Sequence, residues 1–437
     1  MECAFKPRTG APMPRAAALD LLDDILQRKR LLDDATAQSP AFGRLAERDR
    51  ALAQQIVRTV LRRLGEIDAL TAAFLDKPLG KKGRGVENII RIGLAQLLFL
   101  DIPDHAAVDT AVELCQGGAL APYRKLVNAI LRRAGREGVE RLSAMDSARL
   151  NTPNWLWDAW TAAYGADIAH AIAEQHLLEP PLDITVKADP AAWAEALDAQ
   201  LTPAGSLRLS GHRGGVTGLP GFADGAWWVQ DMAASLPARL LGEVRDLDVV
   251  DLCAAPGGKT MELAAAGARV TAVDRSEKRL ERVAENLART GLSATLVAAD
   301  AETWRPPHLA DAVLLDAPCS ATGTARRHPD VLRLKTPQDI EKLSDLQVRL
   351  LHAALRMVRP GGLVVYCTCS LQPEEGERQI EAFLKAGLPV RHAPILPHEA
   401  GALSGVVTAE GYLRTLPCHW AEHGGMDGFF AARLRRT

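Results

Sequence analysis

The sequence predicts a multidomain chain with an all-α front, a small α+β connector and a C-terminal Rossmann-like α/β region on a doubly wound parallel sheet. Three observations carry that expectation. The 437 residues are about three times an ordinary domain length, which favours several cores over one. The front repeats apolar residues at helical spacing, and the back alternates short β-rich runs with helical stretches. The implied boundaries are 1–140, 141–245 and 246–437.

From Arg15 to about Gly138 the pattern is helical. Leu52, Ile56, Val60 and Leu64 recur at every fourth position, with Arg58, Arg62 and Arg63 elsewhere on the same segment, which is the arrangement of an amphipathic helix. Asn88 to Leu100 is more continuously apolar, as a central helix packed on several neighbours would be, and Pro103 marks its end. Val108–Leu114 and Tyr123–Arg133 add two more helices. The connector opens on Trp155, Trp157 and Trp160. Pro180-Pro181 then precedes a strand-like run, Leu182–Val186, and a helix-like one, Ala191–Ala199, while Gly205–Gly225 has little periodicity. Tyr366, Trp227 and Trp228 are read as core. The sheet is expected from Val249–Ala254, Ala268–Asp274, Ala294–Asp300, Ala312–Asp316 and Gly362–Thr368, most of them separated by helical stretches such as Lys278–Thr290.

Composition narrows the class. The chain is 47% hydrophobic and 24% charged, which excludes wholesale disorder. Lys and Arg number 52 against 54 Asp and Glu, so net charge says nothing about nucleic acid. Residues 1–140, however, hold 22 basic against 18 acidic side chains. Seven cysteines in so long a chain do not form a disulfide framework, and a reducing cytoplasm is expected. Met1 to Arg15, with Lys6 and Arg8, lacks the apolar run of a signal peptide, and no segment reaches the roughly 20 apolar residues of a membrane span.

In a doubly wound sheet, ligands sit beyond the carboxyl ends of the strands. The first strand runs into Asp251-Leu252-Cys253-Ala254-Ala255-Pro256-Gly257-Gly258-Lys259-Thr260, where paired glycines let the backbone approach a nucleotide-like cofactor. Asp274 ends the second strand, where it can accept both hydroxyls of a ribose, and Asp300 ends the third, where it can read an adenine amine. Neither G-x-G-x-x-G nor the P-loop pattern is present, which weakens dinucleotide and triphosphate readings. The fourth and fifth strands end in Asp316-Ala317-Pro318-Cys319-Ser320 and Tyr366-Cys367-Thr368-Cys369-Ser370. No C-x-x-C pair or ligand-spaced histidine accompanies them, so no metal is expected. A thiolate is a strong nucleophile and can add to C6 of a pyrimidine. That addition makes C5 nucleophilic enough to take a methyl group from a sulfonium donor, and Asp316 is placed to hold or protonate N3. Cys115, Cys253, Cys367 and Cys418 read as structural.

These segments, with Pro373-Glu374-Glu375-Gly376-Glu377, resemble the signature motifs of the Nop2/Sun-type RNA cytosine-5 methyltransferases. Trp228-Val229-Gln230-Asp231 and Asp427-Gly428-Phe429-Phe430, the latter followed by Arg433, Arg435 and Arg436, are similar to the motifs that flank them. The front resembles the NusB-like RNA-binding domain of the bacterial branch that methylates 16S rRNA, through Glu47–Leu52, Val108–Val112 and Val127–Arg133. The resemblance implies a class I methyltransferase sheet, mostly parallel, with an antiparallel C-terminal strand. It also implies S-adenosylmethionine held by Cys253, Ala254, Ala255, Pro256, Gly257, Gly258 and Lys259, with Asp274 on the ribose, Asp300 near the adenine and Asp316 facing cofactor and base. Cys369 would attack C6, Cys319 would assist product release, and Lys259 would support base or cofactor. The expected partner is RNA, specifically 16S rRNA before or during small-subunit assembly, with no membrane and no obligate protein partner. Aromatic residues are only 5% of the chain, so phosphate contacts rather than extensive base stacking are expected to supply affinity. Two rivals stand beside this reading. One is a nicotinamide-dependent oxidoreductase, and the other an RNA-binding assembly factor that keeps the sheet as scaffold.

Overall fold

The computed structural model describes residues 13–80, 83–115, 118–209, 211 and 215–437. The N-terminal reading on Lys6 and Arg8, and part of the Gly205–Gly225 loop, lie outside them. The chain divides into two compact units. One comprises residues up to Trp157 together with His328–Leu334, and the other Asp158–Arg327 with Lys335–Thr437.

The first unit is helical. Its long elements are Pro14–Leu26, Glu47–Arg62, Leu64–Phe74, Arg84–Leu98, Asp104–Leu114 and Arg124–Ser143. Ile56 and Val60 are fully buried, as is the row Ile89, Ile90, Ile92 and Leu94 on the central helix. The expected four-residue repeat breaks at its last member, because the helix stops at Arg62 and Leu64 starts the next one. Pro103 serves as the N-cap of Asp104–Leu114, five residues beyond Leu98, where the preceding helix has already ended. The segment His328–Leu334 is stitched into this unit: Leu32 N donates to the Asp330 carboxylate at 3.0 Å, and Arg333 donates to the Asn151 carbonyl at 2.8 Å. Leu334 packs on the unit's aliphatic core.

The second unit carries two sheets. The smaller contains β1 (Leu182–Val186), β2 (Gln200–Leu201), β3 (Leu207–Leu209) and β4 (Trp227–Val229), in the order β2-β3-β1-β4 and all antiparallel. A fully buried bidentate pair, Arg208 with Asp183 at 2.7 Å, ties β3 to β1. The helix after β1 runs Pro190–Ala196 and is capped by the Asp189 side chain. Trp227, Trp228 and Tyr366 are core residues, as expected.

The larger sheet contains β5 (Asp248–Leu252), β6 (Arg269–Asp274), β7 (Thr295–Ala298), β8 (Ala310–Asp316), β9 (Val358–Thr368), β10 (Val390–His392), β11 (Leu413–Thr415) and β12 (Phe429–Arg436). Its order is β10-β12-β9-β8-β5-β6-β7, with β11 also on β12. The pairs β5-β6, β6-β7, β5-β8 and β8-β9 are parallel, and β12 runs antiparallel to β9. The central strands read as near-continuous apolar runs because both faces are covered. Local signals set the helices between them. Ser276 caps Glu277–Thr290, which ends at Gly291 in the left-handed conformation, and Thr336 with Asp339 forms a capping box on Pro337–Met357. Strand order reverses at β5, with β6 on one side and β8 on the other, so the switch point lies at the carboxyl ends of β5 and β8.

Candidate active site

Four strand ends converge there. β5 stops at Leu252, two residues before the expected Ala254, because Cys253 takes φ +61°. Gly257 follows at φ +101°, a value L side chains rarely adopt, and the helix Gly258–Ala265 begins directly after it. The Asp274 carboxylate organises this loop. It accepts from Ala255 N at 3.2 Å and Ser276 N at 3.0 Å, and pairs with Arg279 at 3.1 Å. Asp300 lies two residues beyond the end of β7, exposed, with its carboxylate accepting from Glu302 N.

Asp251 is fully buried on β5. Thr260 donates to one carboxylate oxygen at 2.5 Å, while the other has no hydrogen-bond partner among the described residues. Burial pushes its pKa up to about 7, the Thr260 hydrogen bond opposing. An orphaned buried oxygen among three strand-end carboxylates, Asp251, Asp274 and Asp316, suits a cofactor that brings both cationic groups and hydroxyls. The residues present therefore fit S-adenosylmethionine.

Lys259 reaches across to Asp316 at 2.8 Å, and its ammonium lies 5.1 Å from the centre of the Phe429 ring. Burial opposes the ammonium, but Asp316, followed by the Cys367 and Cys369 thiols, outweighs it and holds the Lys259 pKa above the ordinary range. The Cys367 thiol donates to the other Asp316 oxygen at 3.5 Å. Burial, then Asp316, drives its pKa well up, and burial does the same for Cys253. Both behave as inert thiols. Cys319 and Cys369, half-buried, face each other with sulfurs 3.5 Å apart. The hydrogen bond to Cys369, then burial, raises the Cys319 pKa well above the ordinary thiol value.

The structure thus brings together Cys319 with Cys369, and Lys259 with Asp316 and Cys367. The Cys253–Lys259 loop lies over Asp274, and Asp300 stands apart on its own turn. Two features have no one-dimensional signal. Glu375 is buried behind the cysteine pair, and its motif gives no hint of which of its glutamates turns inward. Arg326 and Arg327 form a buried cluster with Asp231 and Asp427, the closest contact being Arg327–Asp231 at 2.6 Å. Burial works against the Asp231 carboxylate, but Arg327 and Arg326 prevail and hold its pKa down at about 2. This cluster explains why Asp231 and Asp427 sit in motifs remote from the strand ends. Gly323 is similarly constrained: a Cβ there would fall 2.0 Å from the Gly428 carbonyl oxygen.

A parallel sheet with acidic strand ends around a glycine-turned loop, joined to a separate helical domain, has the fold and site of a methyltransferase with an added helical module. Residues 238–435 match the 16S rRNA methyltransferase RsmB/F family, and residues 13–136 match the NusB family. The ribosomal RNA small subunit methyltransferase B of Pseudomonas putida is 37% identical over 96% of this chain and 98% of its own, and that of Xylella fastidiosa 38% identical over 96% and 97%. Among solved structures, a methyltransferase homologue from Pyrococcus horikoshii is 27% identical with a TM-score of 0.55, covering 67% of this chain and 98% of its own. The chain belongs to the RsmB/F family of 16S rRNA methyltransferases.

Proposed function

We propose that the protein methylates C5 of a cytosine in 16S rRNA through a covalent adduct between Cys369 and C6 of the base. The observation that carries this reading is the thiol pair, 3.5 Å apart, on strand ends next to the Lys259–Asp316 ion pair. Bound S-adenosylmethionine supplies an electrophilic methyl group. Cys253 to Lys259 line its site, with Asp251 and Asp274 on its cationic and hydroxyl groups, Asp300 towards the adenine and Asp316 towards both cofactor and base.

Cys369 gives up its proton to solvent and its sulfur forms a bond to C6, while the electron pair of the C5–C6 double bond shifts towards N3, which Asp316 holds or protonates by relaying a proton from the Lys259 ammonium paired with it at 2.8 Å. C5 then carries the nucleophilic electrons and takes the methyl group. Cys319, as its thiolate, takes the C5 proton, the N3 proton returns to the Lys259–Asp316 pair, and cleavage of the sulfur–C6 bond frees the Cys369 thiolate and restores the ring. The target base has to leave its stack to enter, which costs a few kcal/mol in a duplex and less in a loop. Domains at 1–140, 141–245 and 246–437 divide the work, with basic side chains of the first holding phosphates. The substrate is rRNA before or during small-subunit assembly, in a reducing cytoplasm; no helix among the described residues is long and apolar enough to cross a membrane.

Mass spectrometry of small-subunit rRNA after incubation with the protein and methyl-labelled S-adenosylmethionine tests this. 5-Methylcytosine made by wild type and not by Cys369→Ala supports the reading. Equal methylation by both variants overturns it.

A further inference from the structure

We infer that Glu375 is a positioning residue that sets the distance between the two active-site cysteines. The residue is completely buried, and its carboxylate accepts four hydrogen bonds from three segments. Oε1 takes Ser320 N at 2.9 Å and Gln347 Nε2 at 3.1 Å. Oε2 takes the Ser320 and Ser370 hydroxyls, each at 2.5 Å. Ser320 directly follows Cys319, and Ser370 directly follows Cys369. One side chain therefore grips the backbone next to the Cys319 sulfur and the hydroxyls beside both cysteines.

The grip is fixed at its own root. The Glu375 carbonyl accepts from the Tyr366 hydroxyl at 2.8 Å and from Thr368 Oγ1 at 3.2 Å, both on β9. Gln347 extends the clamp by donating to the Pro318 carbonyl at 2.9 Å, one residue before Cys319. Four donors saturate an ionised carboxylate, which offers only acceptor sites. Alanine would leave all four donors without that partner and let the two loops drift. A catalytic constellation tolerates about 0.5 Å of looseness, and a displacement of about 1 Å costs roughly 100-fold in rate.

The proposal rests on the two-cysteine reading for its catalytic meaning and not for its geometry, so geometry is measured separately. Diamide takes one hydrogen from each of two neighbouring thiols, becoming a hydrazine while the sulfurs bond to each other. The rate at which it joins Cys319 to Cys369, followed by peptide mapping, reports their separation in the RNA-free protein. Glu375→Ala is expected to slow this crosslinking at least about tenfold and to lower kcat for methyl transfer by roughly 100-fold. KM for S-adenosylmethionine should stay within about threefold. Glu375→Gln, which keeps the length and one carbonyl acceptor, should recover a large part of both. If Glu375→Ala does not fold, Ser370→Ala removes one donor, leaves three, and should show the same effects in smaller degree.

Wild-type crosslinking and wild-type kcat in these variants would overturn the proposal. So would a loss of cofactor affinity as large as the loss of kcat. Slowed crosslinking in Glu375→Ala together with normal methylation by Cys369→Ala would uphold the positioning role and overturn the two-cysteine reading.

Discussion

The helical unit and the strand ends of the methyltransferase unit bury side chains in different ways. In the helical unit the core is a continuous aliphatic cluster built from residues such as Leu21, Ile56, Ile90 and Leu131. Several of its basic residues form local surface pairs such as Arg133–Glu137–Arg141, and its buried polar groups, among them Glu66, Gln96 and Asn151, are hydrogen-bonded within the unit. At the strand ends Asp251, Lys259, Ser320, Ser370, Gln347 and Glu375 are all buried. Burying polar groups costs stability unless each finds a partner, and at the strand ends the buried groups lie beside the two facing cysteines. On the proposed reading the helical unit holds RNA through many surface contacts, so single residues there should matter little.

The strongest test of that contrast is Cys369→Ala, expected to lower methyl transfer by at least about 1,000-fold, with Cys319→Ala instead accumulating a protein–RNA adduct visible on a denaturing gel. Normal turnover by both would remove the contrast. Second is Arg208→Met in the smaller sheet, which leaves the Asp183 carboxylate buried without its partner and should cost about 3–5 kcal/mol in chemical denaturation. A loss below about 1 kcal/mol would show that this buried pair is not coupled to stability. Third is Arg132→Ala on the exposed face of the helix Arg124–Ser143. Stability should change by under about 0.5 kcal/mol, and the slope of RNA affinity against salt should fall by about one unit. A large change in unfolding midpoint would place that residue with the strand ends instead.

The last test is a pH dependence. The Glu262 side chain is buried, with Gln230 donating to one carboxylate oxygen at 2.8 Å and Arg239 3.8 Å from the other, and burial raises its pKa from 4.5 to about 8, with Arg239 opposing. A raised value means that the folded chain holds the proton where the unfolded chain has lost it. Its contribution is therefore complete below about pH 4.5 and declines as pH rises towards 8, by at most about 1.4 kcal/mol per pH unit. Asp251, raised to about 7, acts in the same direction. Thermal melting of ligand-free protein should fall across this range, and Glu262→Gln should flatten part of the fall.

Much of this was legible in the sequence for physical reasons. Helical periodicity located the front, and alternating runs located the parallel strands, because each element must hide one stripe or face. The strand-end motifs were legible because glycines, carboxylates and thiols interrupt those runs. The ends of β5 and β7 were misjudged, since a left-handed Cys253 and a turn-capping Asp300 are decided by loop geometry rather than hydrophobicity. Glu375 and the Arg326–Arg327 cluster were invisible because their partners lie far away in the chain. Asp427, for example, is 100 residues from Arg327.

The stitching of His328–Leu334 into the helical unit has a practical side. Two stretches of chain widely separated in sequence make up that unit, so a clean cut between its first and last residues does not exist. A truncation that discards the N-terminal helices strips the Asp330 carboxylate of the Leu32 amide and bares Leu334 to water. Loss of activity in such a fragment would report a torn surface as readily as a missing RNA contact. A chimera that borrows a helical domain from a relative should carry that relative's seven-residue stitch with it.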